Sequence, residues 1–413
     1  MIDPYYPRLL KARLEEALED TPVVLIHGPR QCGKTTLAQI IGEQRGYTYF
    51  SFDDANLLAA AKADPVGFVD RLADKVILDE VQHVPELFIS IKRSVDKDRK
   101  PGRFILTGSA NVLLLPKLAD SLAGRMEIMS LRPLARCEIE SSGEGLLAQM
   151  LRNNLDFNNS GKLGEALAAY VVVGGFPEPL QRKTQQRKQQ WFHHYVDTLI
   201  QKDIQDLARI NRMDTIPKIL QLAAGQSAQL LNMSVIAAPF QISRQTISSY
   251  FSLLRNIFLV DVLPAWHTNR GKRLIKTPKV HITDTGLAAT LLGLTAAQLD
   301  TDRAMLGHLL ESFVYNELVR QASWAECDLK FYHFRDKDQY EVDIVIEQGG
   351  SIIAVEVKAS ATIRERDFAG LKRLQTLSGK AWKLGIVFYD GELALPFGQN
   401  MFAVPISALW GNV

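Results

Sequence analysis

Cysteine is scarce in this chain of 413 residues: only Cys32, Cys137 and Cys327 are present, far apart and without C-x-x-C spacing. That excludes a disulfide framework and a cysteine-built zinc site, and makes a reducing cytoplasm the expected home. Net charge is nearly absent too, with Lys+Arg 48 against Asp+Glu 46 for a formal +2, so bulk electrostatics names no partner. Long apolar runs are missing. The uncharged segment 219–243 holds four Gln, one Asn, three Ser, a Gly and Pro239, too costly to desolvate for a bilayer span, and it reads as soluble helices with no membrane partner. The amino terminus, Met1-Ile2-Asp3-Pro4-Tyr5, lacks the basic and apolar regions of a signal peptide. Repeats and low-complexity linkers are also lacking, so boundaries must come from pattern. At 46% hydrophobic and 23% charged the composition is that of a globular protein, and about 150 residues per domain predicts two to four domains.

Short apolar runs at 22–27, 47–52, 75–78, 104–106 and 126–131 alternate with helix-length segments, predicting an α/β domain with a parallel sheet covered on both faces. From about 136 to 215 the pattern is helical, broken by Gly174-Gly175-Phe176-Pro177. Small helices and a hairpin are expected over 216–300. The last stretch, 301–413, predicts a helix at 305–322, three strands, a helix at 363–377 and a strand at 381–389.

Gly28-Pro29-Arg30-Gln31-Cys32-Gly33-Lys34-Thr35 fits G-x-x-x-x-G-K-[ST] between a strand and a helix, the context this phosphate-binding loop requires. Its backbone N–H groups would wrap phosphates at a helix N-terminus, Lys34 would reach the β- and γ-phosphates, and Thr35 would ligate Mg²⁺. Val76-Ile77-Leu78-Asp79-Glu80 supplies the second half: Asp79 beside the metal, Glu80 positioned to polarise the attacking water. Thr107, at the end of the strand in Phe104-Ile105-Leu106-Thr107-Gly108-Ser109, is placed to sense the γ-phosphate if that strand lies beside the one carrying Asp79. No Asn/Thr-Lys-x-Asp guanine reader is present, which favours ATP over GTP. Here the chain resembles the AAA-type ATPases, and the resemblance implies that Arg125, after Gly124, reaches a neighbouring subunit's nucleotide, hence a homo-oligomer or ATP-dependent self-association; a surface or structural arginine is the other reading.

A second constellation lies near the carboxyl end. Two strand-like runs, 340–346 and 352–358, flank Gly349-Gly350, a strong hairpin turn. If Gln348 pairs with Ser351, Asp343 falls opposite Glu356, and alternation puts Lys358 on the same face. Asp343 and Glu356 sharing a metal, with Lys358 activating a water and Glu311 adding an acid from the preceding helix, is machinery for phosphodiester hydrolysis. The other reading is a structural ion pair between Asp343 and Lys358. The order α-β-β-β-α-β resembles the restriction-endonuclease-like, PD-(D/E)xK core, with Val342 where many members have proline.

Between these sites, 234–238, the turn Phe240-Gln241-Ile242-Ser243 and a helix at 244–256 read as helix-turn-helix, with Ser243 as N-cap and Arg244, Gln245, Ser248 and Ser249 on the exposed face. A wing around Asn269-Arg270-Gly271 would gather Arg270, Lys272, Arg273, Lys276 and Lys279 into a phosphate-binding surface; a winged helix used for subunit packing is the alternative. Arg182, Lys183, Arg187 and Lys188 precede Trp191, Phe192, His193 and His194, a combination that suits single strands and equally an amphipathic helix with a solvated face.

Taken together, Gly28-Pro29-Arg30-Gln31, Leu78-Asp79-Glu80-Val81-Gln82, Leu106-Thr107-Gly108-Ser109, Leu122-Ala123-Gly124-Arg125, Gly174-Gly175-Phe176-Pro177-Glu178, Asp284-Thr285-Gly286-Leu287, Glu341-Val342-Asp343 and Glu356-Val357-Lys358 resemble a bacterial and archaeal family of ATP-binding proteins. Its members join an N-terminal AAA-type ATPase to a C-terminal restriction-endonuclease-like domain. The resemblance implies an ATPase domain over 1–135, a helical connector over 136–215, a winged-helix-like region over 216–300 and a nuclease-like domain over 301–413. The expectation is a Mg²⁺-dependent ATP hydrolase that engages DNA, RNA being the other candidate, and either cleaves it or uses its C-terminal modules as inactive scaffolds.

Overall fold

A computed structural model describes residues 6–109, 122–155, 161–204, 213–240, 242–269, 273 and 276–411. The chain divides into two compact units, Met1–Leu134 with Asn256–Phe258, and Ala135–Arg255 with Leu259–Val413. Among the described residues no helix is long and apolar enough to cross a membrane.

The first unit holds β1 (Val23–His27), β2 (Thr48–Ser51), β3 (Val76–Asp79), β4 (Phe104–Gly108) and β5 (Met126–Ser130). They form one sheet in the order β2-β3-β4-β1-β5, every pairing parallel. Consecutive residues Val23, Val24, Leu25 and Ile26 are all fully buried, as a strand covered on both faces requires. On one face, Val23, Leu25, Leu78 and Leu106 pack with Phe88, Ile91 and Val95 of the helix Leu87–Lys97. This order puts β4 between β1 and β3, so the carboxyl ends of three neighbouring strands open beside the first turn of the helix Lys34–Arg45.

The second unit contains helices and two sheets. In the smaller sheet, β6 (Gln229–Leu230) and β7 (Val260–Leu263) flank β8 (Lys279–Ile282), both antiparallel to it. In the larger, β9 (Lys330–Arg335), β10 (Glu341–Gln348), β11 (Ser351–Lys358), β12 (Trp382–Tyr389), β13 (Leu395–Pro396) and β14 (Met401–Pro405) run in the order β13-β14-β12-β11-β10-β9. Gly349 and Gly350 both have positive φ and close the β10–β11 hairpin in the expected register, Gln348 opposite Ser351 through Ile344 opposite Val355. The register of β10 on β9 shifts between Val342 and Val345, beside Asp343. Leu371 and Leu374 of the helix Ala369–Ser378 cover one face with Val345, Ala354 and Val387, and the helix Arg303–Ala322 packs against β11. The sequence pattern passes over β13 and β14, a two-residue edge and a five-residue strand near the terminus, because runs this short carry little periodicity.

Helix Arg303–Ala322 buries polar side chains, each with a partner. Ser312 Oγ lies 2.9 Å from His281 Nδ1 on β8, Asn316 Nδ2 donates to Ile282 O (3.0 Å) and Gln321 Nε2 donates to Leu409 O (2.7 Å). Nearby, His333 on β9 donates from Nε2 to Thr277 O (3.1 Å). Burial first, then the charge of Lys279, lower its pKa to about 4. The folded protein keeps this imidazole neutral while the unfolded chain takes up a proton near pH 6.5. The stability it confers is therefore complete above pH 6.5 and falls by about 3 kcal/mol between 6.5 and 4. Denaturant titrations across that window are expected to show a shallower decline for His333→Gln; an unchanged slope would remove His333 from the account.

Candidate functional site

The loop Gly28–Thr35 leaves the end of β1 and enters the helix Lys34–Arg45 with Gly33 as left-handed cap, φ 99°. Gly28 has φ 152°, and a Cβ there would lie 2.0 Å from Leu131 O, so no side chain fits. The loop is braced from beneath: Arg8 donates from Nη1 to Cys32 O (2.6 Å) and from Nη2 to Arg132 O (2.7 Å), and Cys32 Sγ lies 3.2 Å from Leu131 O. Lys34 is buried and donates to Gly28 O (3.0 Å) and Pro29 O (2.7 Å), folded over the loop it belongs to.

Two neighbouring strands, β2 and β4, and the helix converge on Asp79 at the end of β3. Thr35 Oγ1 donates to it, 3.0 Å from Oδ1 and 3.1 Å from Oδ2; Tyr49 Oη donates to Oδ2 (2.7 Å) and Thr107 Oγ1 to Oδ1. The expected neighbourhood of Asp79 and Thr107 follows from β3 pairing with β4. Thr107 Oγ1 also accepts the backbone N–H of Glu80 (3.3 Å), which holds Glu80 in a left-handed conformation at φ 57°. Gln82 Nε2 donates to Glu80 Oε2 and to Ser109 Oγ (3.0 Å). Burial pushes the Glu80 carboxyl up, but Lys34, Gln82, Arg30 and Ser109 outweigh it and leave the group below its ordinary pKa, an anion at neutral pH. A hydroxyl and a carboxylate at this separation are the donor set an octahedral Mg²⁺ takes from protein beside nucleotide phosphates. Tyr49 is the residue the sequence does not single out; burial, then Asp79, hold its phenol above the usual range. Arg125 pairs with Asp96 and donates to Ala123 O (3.0 Å) at the surface of the unit.

In the second unit Glu311, Asp343, Glu356 and Lys358 line one open cleft of about 930 Å³, together with Arg303 and His308. Their partners differ from those expected. Asp343 pairs with Lys279, Nζ to Oδ1 3.0 Å, and accepts the backbone N–H of Val357 at Oδ2 (3.0 Å). Lys279 also reaches Glu311 Oε1 (2.6 Å), whereas Lys358 pairs with Glu356 Oε1 (2.7 Å). Glu356 Oε2 is buried without a hydrogen-bond partner. One buried ammonium cannot serve every carboxylate: desolvation is resisted at Asp343 by Lys279 and Lys358, leaving it below its ordinary pKa. At Glu311 and Glu356 burial and the charge of Asp343 prevail, and both lie above. Among the described residues no three His, Cys, Asp or Glu side chains come together to hold a metal ion. Lys279 Nζ lies between Glu311 and Asp343, where a bridging ion would sit, so as folded these carboxylates do not fit one.

Two residues assigned to a basic wing are corrected. Lys279 lies in β8 with its neighbours Val280, His281 and Ile282 all buried, so its charge must be met inside. Arg273 is mostly buried: it pairs with Glu347 Oε2 (2.8 Å), donates to His267 O (2.7 Å) and lies over the rings of Tyr332 and Trp266. The signal was available, since a lysine inside an apolar strand needs a carboxylate partner. Lys276 is exposed and reaches Arg335 O (3.4 Å), while Arg270 and Lys272 lie outside the described residues. Arg244 and Gln245 are exposed at the start of the helix Arg244–Asn256, where Ser243 Oγ accepts the N–H of Thr246 (3.1 Å). The helix Gln185–Leu199 buries Phe192, Tyr195 and Val196 and exposes His193 and His194; Trp191 stacks on Tyr195, so the stretch is an amphipathic helix.

Residues 20–140 match the AAA domain family, which together with the loop geometry makes this an AAA-type P-loop ATPase domain. Residues 164–298 and 306–409 match two domains of unknown function, DUF8612 and DUF4143. The chain belongs to the family of an uncharacterized protein of Mycobacterium tuberculosis, to which it is 30% identical over 397 residues, 95% of this chain and 82% of the relative. A Mycobacterium bovis protein, also uncharacterized, matches to the same extent. Among solved structures, the Walker-type ATPase of Pyrococcus abyssi is similar at 18% identity with a TM-score of 0.45, covering 70% of this chain and 96% of that one. The Thermotoga maritima RuvB Holliday junction branch migration motor is similar at 18% identity with a TM-score of 0.29, covering 64% of this chain and 93% of the motor. The match over 306–409 carries no nuclease description.

Proposed function

We propose that this protein is a cytoplasmic, Mg²⁺-dependent ATP hydrolase that engages DNA and works as a homo-oligomer. The observation that carries the reading is the Glu80 carboxylate, ionised and aimed by Gln82 beside the loop that ends in Lys34. Thr35 and Asp79 would hold Mg²⁺, which supplies charge neutralisation at the β- and γ-phosphates. Gly28, Pro29, Arg30, Gln31, Cys32 and Gly33 turn their backbone toward the phosphates, and Lys34 exchanges two carbonyls for phosphate oxygens. Thr107, bonded to Asp79 and to the Glu80 backbone, relays occupancy of the γ-phosphate site. The half-buried Arg125 would complete a neighbour's site, exchanging Asp96 for that subunit's nucleotide.

Exposed Arg244 and Gln245 at a capped helix start support contact with a nucleic-acid groove. The second reading adds cleavage: Asp343, Glu356 and Lys358 line one cleft, and the unpartnered Glu356 Oε2 favours it. Opposed to cleavage is the ammonium already lodged between Glu311 and Asp343, which suits an ATP-driven switch with an inactive C-terminal module. ATP turnover measured with Mg²⁺, with EDTA, and with added single-stranded or duplex DNA or RNA tests the reading. Metal-dependent turnover stimulated by DNA is expected, and Arg244→Ala is expected to lose the stimulation while keeping the basal rate. Turnover indifferent to every nucleic acid would overturn the DNA assignment.

A further inference from the structure

Two carboxylates lining the cleft of the second unit, Glu311 and Asp343, already share a buried cation, and that cation belongs to the chain. Lys279 enters from β8 with its side chain 8% exposed and its Nζ 2.6 Å from Glu311 Oε1 and 3.0 Å from Asp343 Oδ1. The other oxygen of Asp343 is taken by the Val357 N–H, and Glu356 Oε1 by Lys358. A Mg²⁺ or Mn²⁺ ion takes one or two carboxylates and completes its shell with water or phosphate oxygens, and here the place between two of the carboxylates is held by the ammonium. Here Glu356 Oε2 alone among the cleft's Asp343 and Glu356 oxygens has no partner. An ammonium between two carboxylates also supplies what a bridging ion supplies, relief of like charges held close together.

The seat is built, not incidental. β8 is the central strand of its sheet, paired on both sides. It is also tied to the helix that carries Glu311 through His281 with Ser312 and Asn316 with Ile282. Lys279 cannot swing away as a surface lysine does; its strand would have to move.

We propose that Lys279 is the resident cation of this cleft, holding Glu311 and Asp343 in place of a divalent metal. The inference rests on the nuclease reading only for the identity of the carboxylates a metal would use. Metal-dependent cleavage then requires β8 to withdraw.

Mn²⁺ titration of the nucleotide-free full chain, followed by electron paramagnetic resonance, tests this. The natural chain is expected to show no saturable Mn²⁺ binding that Asp343→Asn removes. Lys279→Met is expected to gain such a site, at least about tenfold tighter than anything the natural chain shows, and Lys279→Met with Asp343→Asn to lose it again. Mn²⁺ binding by the natural chain that disappears with Asp343→Asn overturns the inference, whether or not the Lys279 variants fold. So does a folded Lys279→Met chain, judged by circular dichroism, that binds none. Cleavage assays separate the two ideas. A natural chain that binds Mn²⁺ through Asp343 and cuts DNA upholds the nuclease reading and ends this one. A Lys279→Met chain that binds Mn²⁺ and cuts nothing upholds this one and ends the nuclease reading.

Discussion

Glu80→Gln is expected to leave ATP binding nearly unchanged and to lower kcat by about 10²–10⁴-fold, the usual worth of a positioned general base. The change keeps shape and removes only the charge. Glu80 is held by its backbone N–H on Thr107 and by Gln82, and both contacts survive with an amide in place of the carboxylate. Binding rests elsewhere, on the backbone of the loop and on Lys34. Lys34→Ala should differ by showing a large rise in KM along with the fall in kcat, because that ammonium holds bound nucleotide and holds the transition state more strongly still. Single-turnover hydrolysis beside equilibrium binding of a fluorescent ATP analogue separates the two. If Glu80→Gln hydrolysed ATP within threefold or so of the natural rate, well short of the general-base range, the attacking water would have to be oriented by another group.

How much of this site could be read from sequence follows from where its constraints are local. Gly28, Gly33, Lys34 and Thr35 lie within eight residues, so spacing alone predicts a phosphate loop, and Asp79-Glu80 ends an apolar run that is legible as a strand. Thr107 beside Asp79 needed one further inference, the strand order. Tyr49 was invisible: a tyrosine in a short strand carries no motif, and its hydroxyl finds Asp79 only because β2 pairs with β3. In the second unit the hairpin register was predictable from Gly349-Gly350, and with it the convergence of Asp343 and Glu356 on one cleft. Lys279 was misread for a physical reason. Counting nearby cations along the chain treats charge as a surface property, whereas β8 is covered on both faces and takes Lys279 inside, 32 positions from Glu311 and 64 from Asp343 in sequence. The buried strand shows that Lys279 needs a carboxylate, but which one is decided by long-range pairing that no local pattern contains.

Arg320→Met is expected to destabilise the second unit by about 3–5 kcal/mol, the cost of stranding a buried charge partner. Arg320 is 3% exposed and pairs with two carboxylates that are wholly buried, Asp284 Oδ2 at 2.9 Å and Glu317 Oε1 at 2.8 Å. Each has a second duty. Asp284 accepts the N–H of Leu287 (3.1 Å) at the start of the helix Thr285–Leu291 and the N–H of Gly175 (2.7 Å). Glu317 accepts the N–H of Arg136 at 2.8 Å. The fit around Asp284 leaves no room: a Cβ on Gly174, which has φ 69°, would lie 2.1 Å from Asp284 Oδ1. The segments Gly174-Gly175-Phe176-Pro177-Glu178 and Asp284-Thr285-Gly286-Leu287 are thus two sides of one buried junction. Burial already raises the Glu317 pKa against the pull of Arg320, so removing the guanidinium drives this carboxyl further toward its neutral form and leaves Asp284 without its cation. Thermal melts should fall by about 10 °C for a unit of this size. Adding Asp284→Asn and Glu317→Gln to Arg320→Met should recover part of that loss, because the amides keep most of the hydrogen bonds and no charge is left unpaired. A triple variant as unstable as Arg320→Met would mean that packing of the long side chain, not charge, holds the junction.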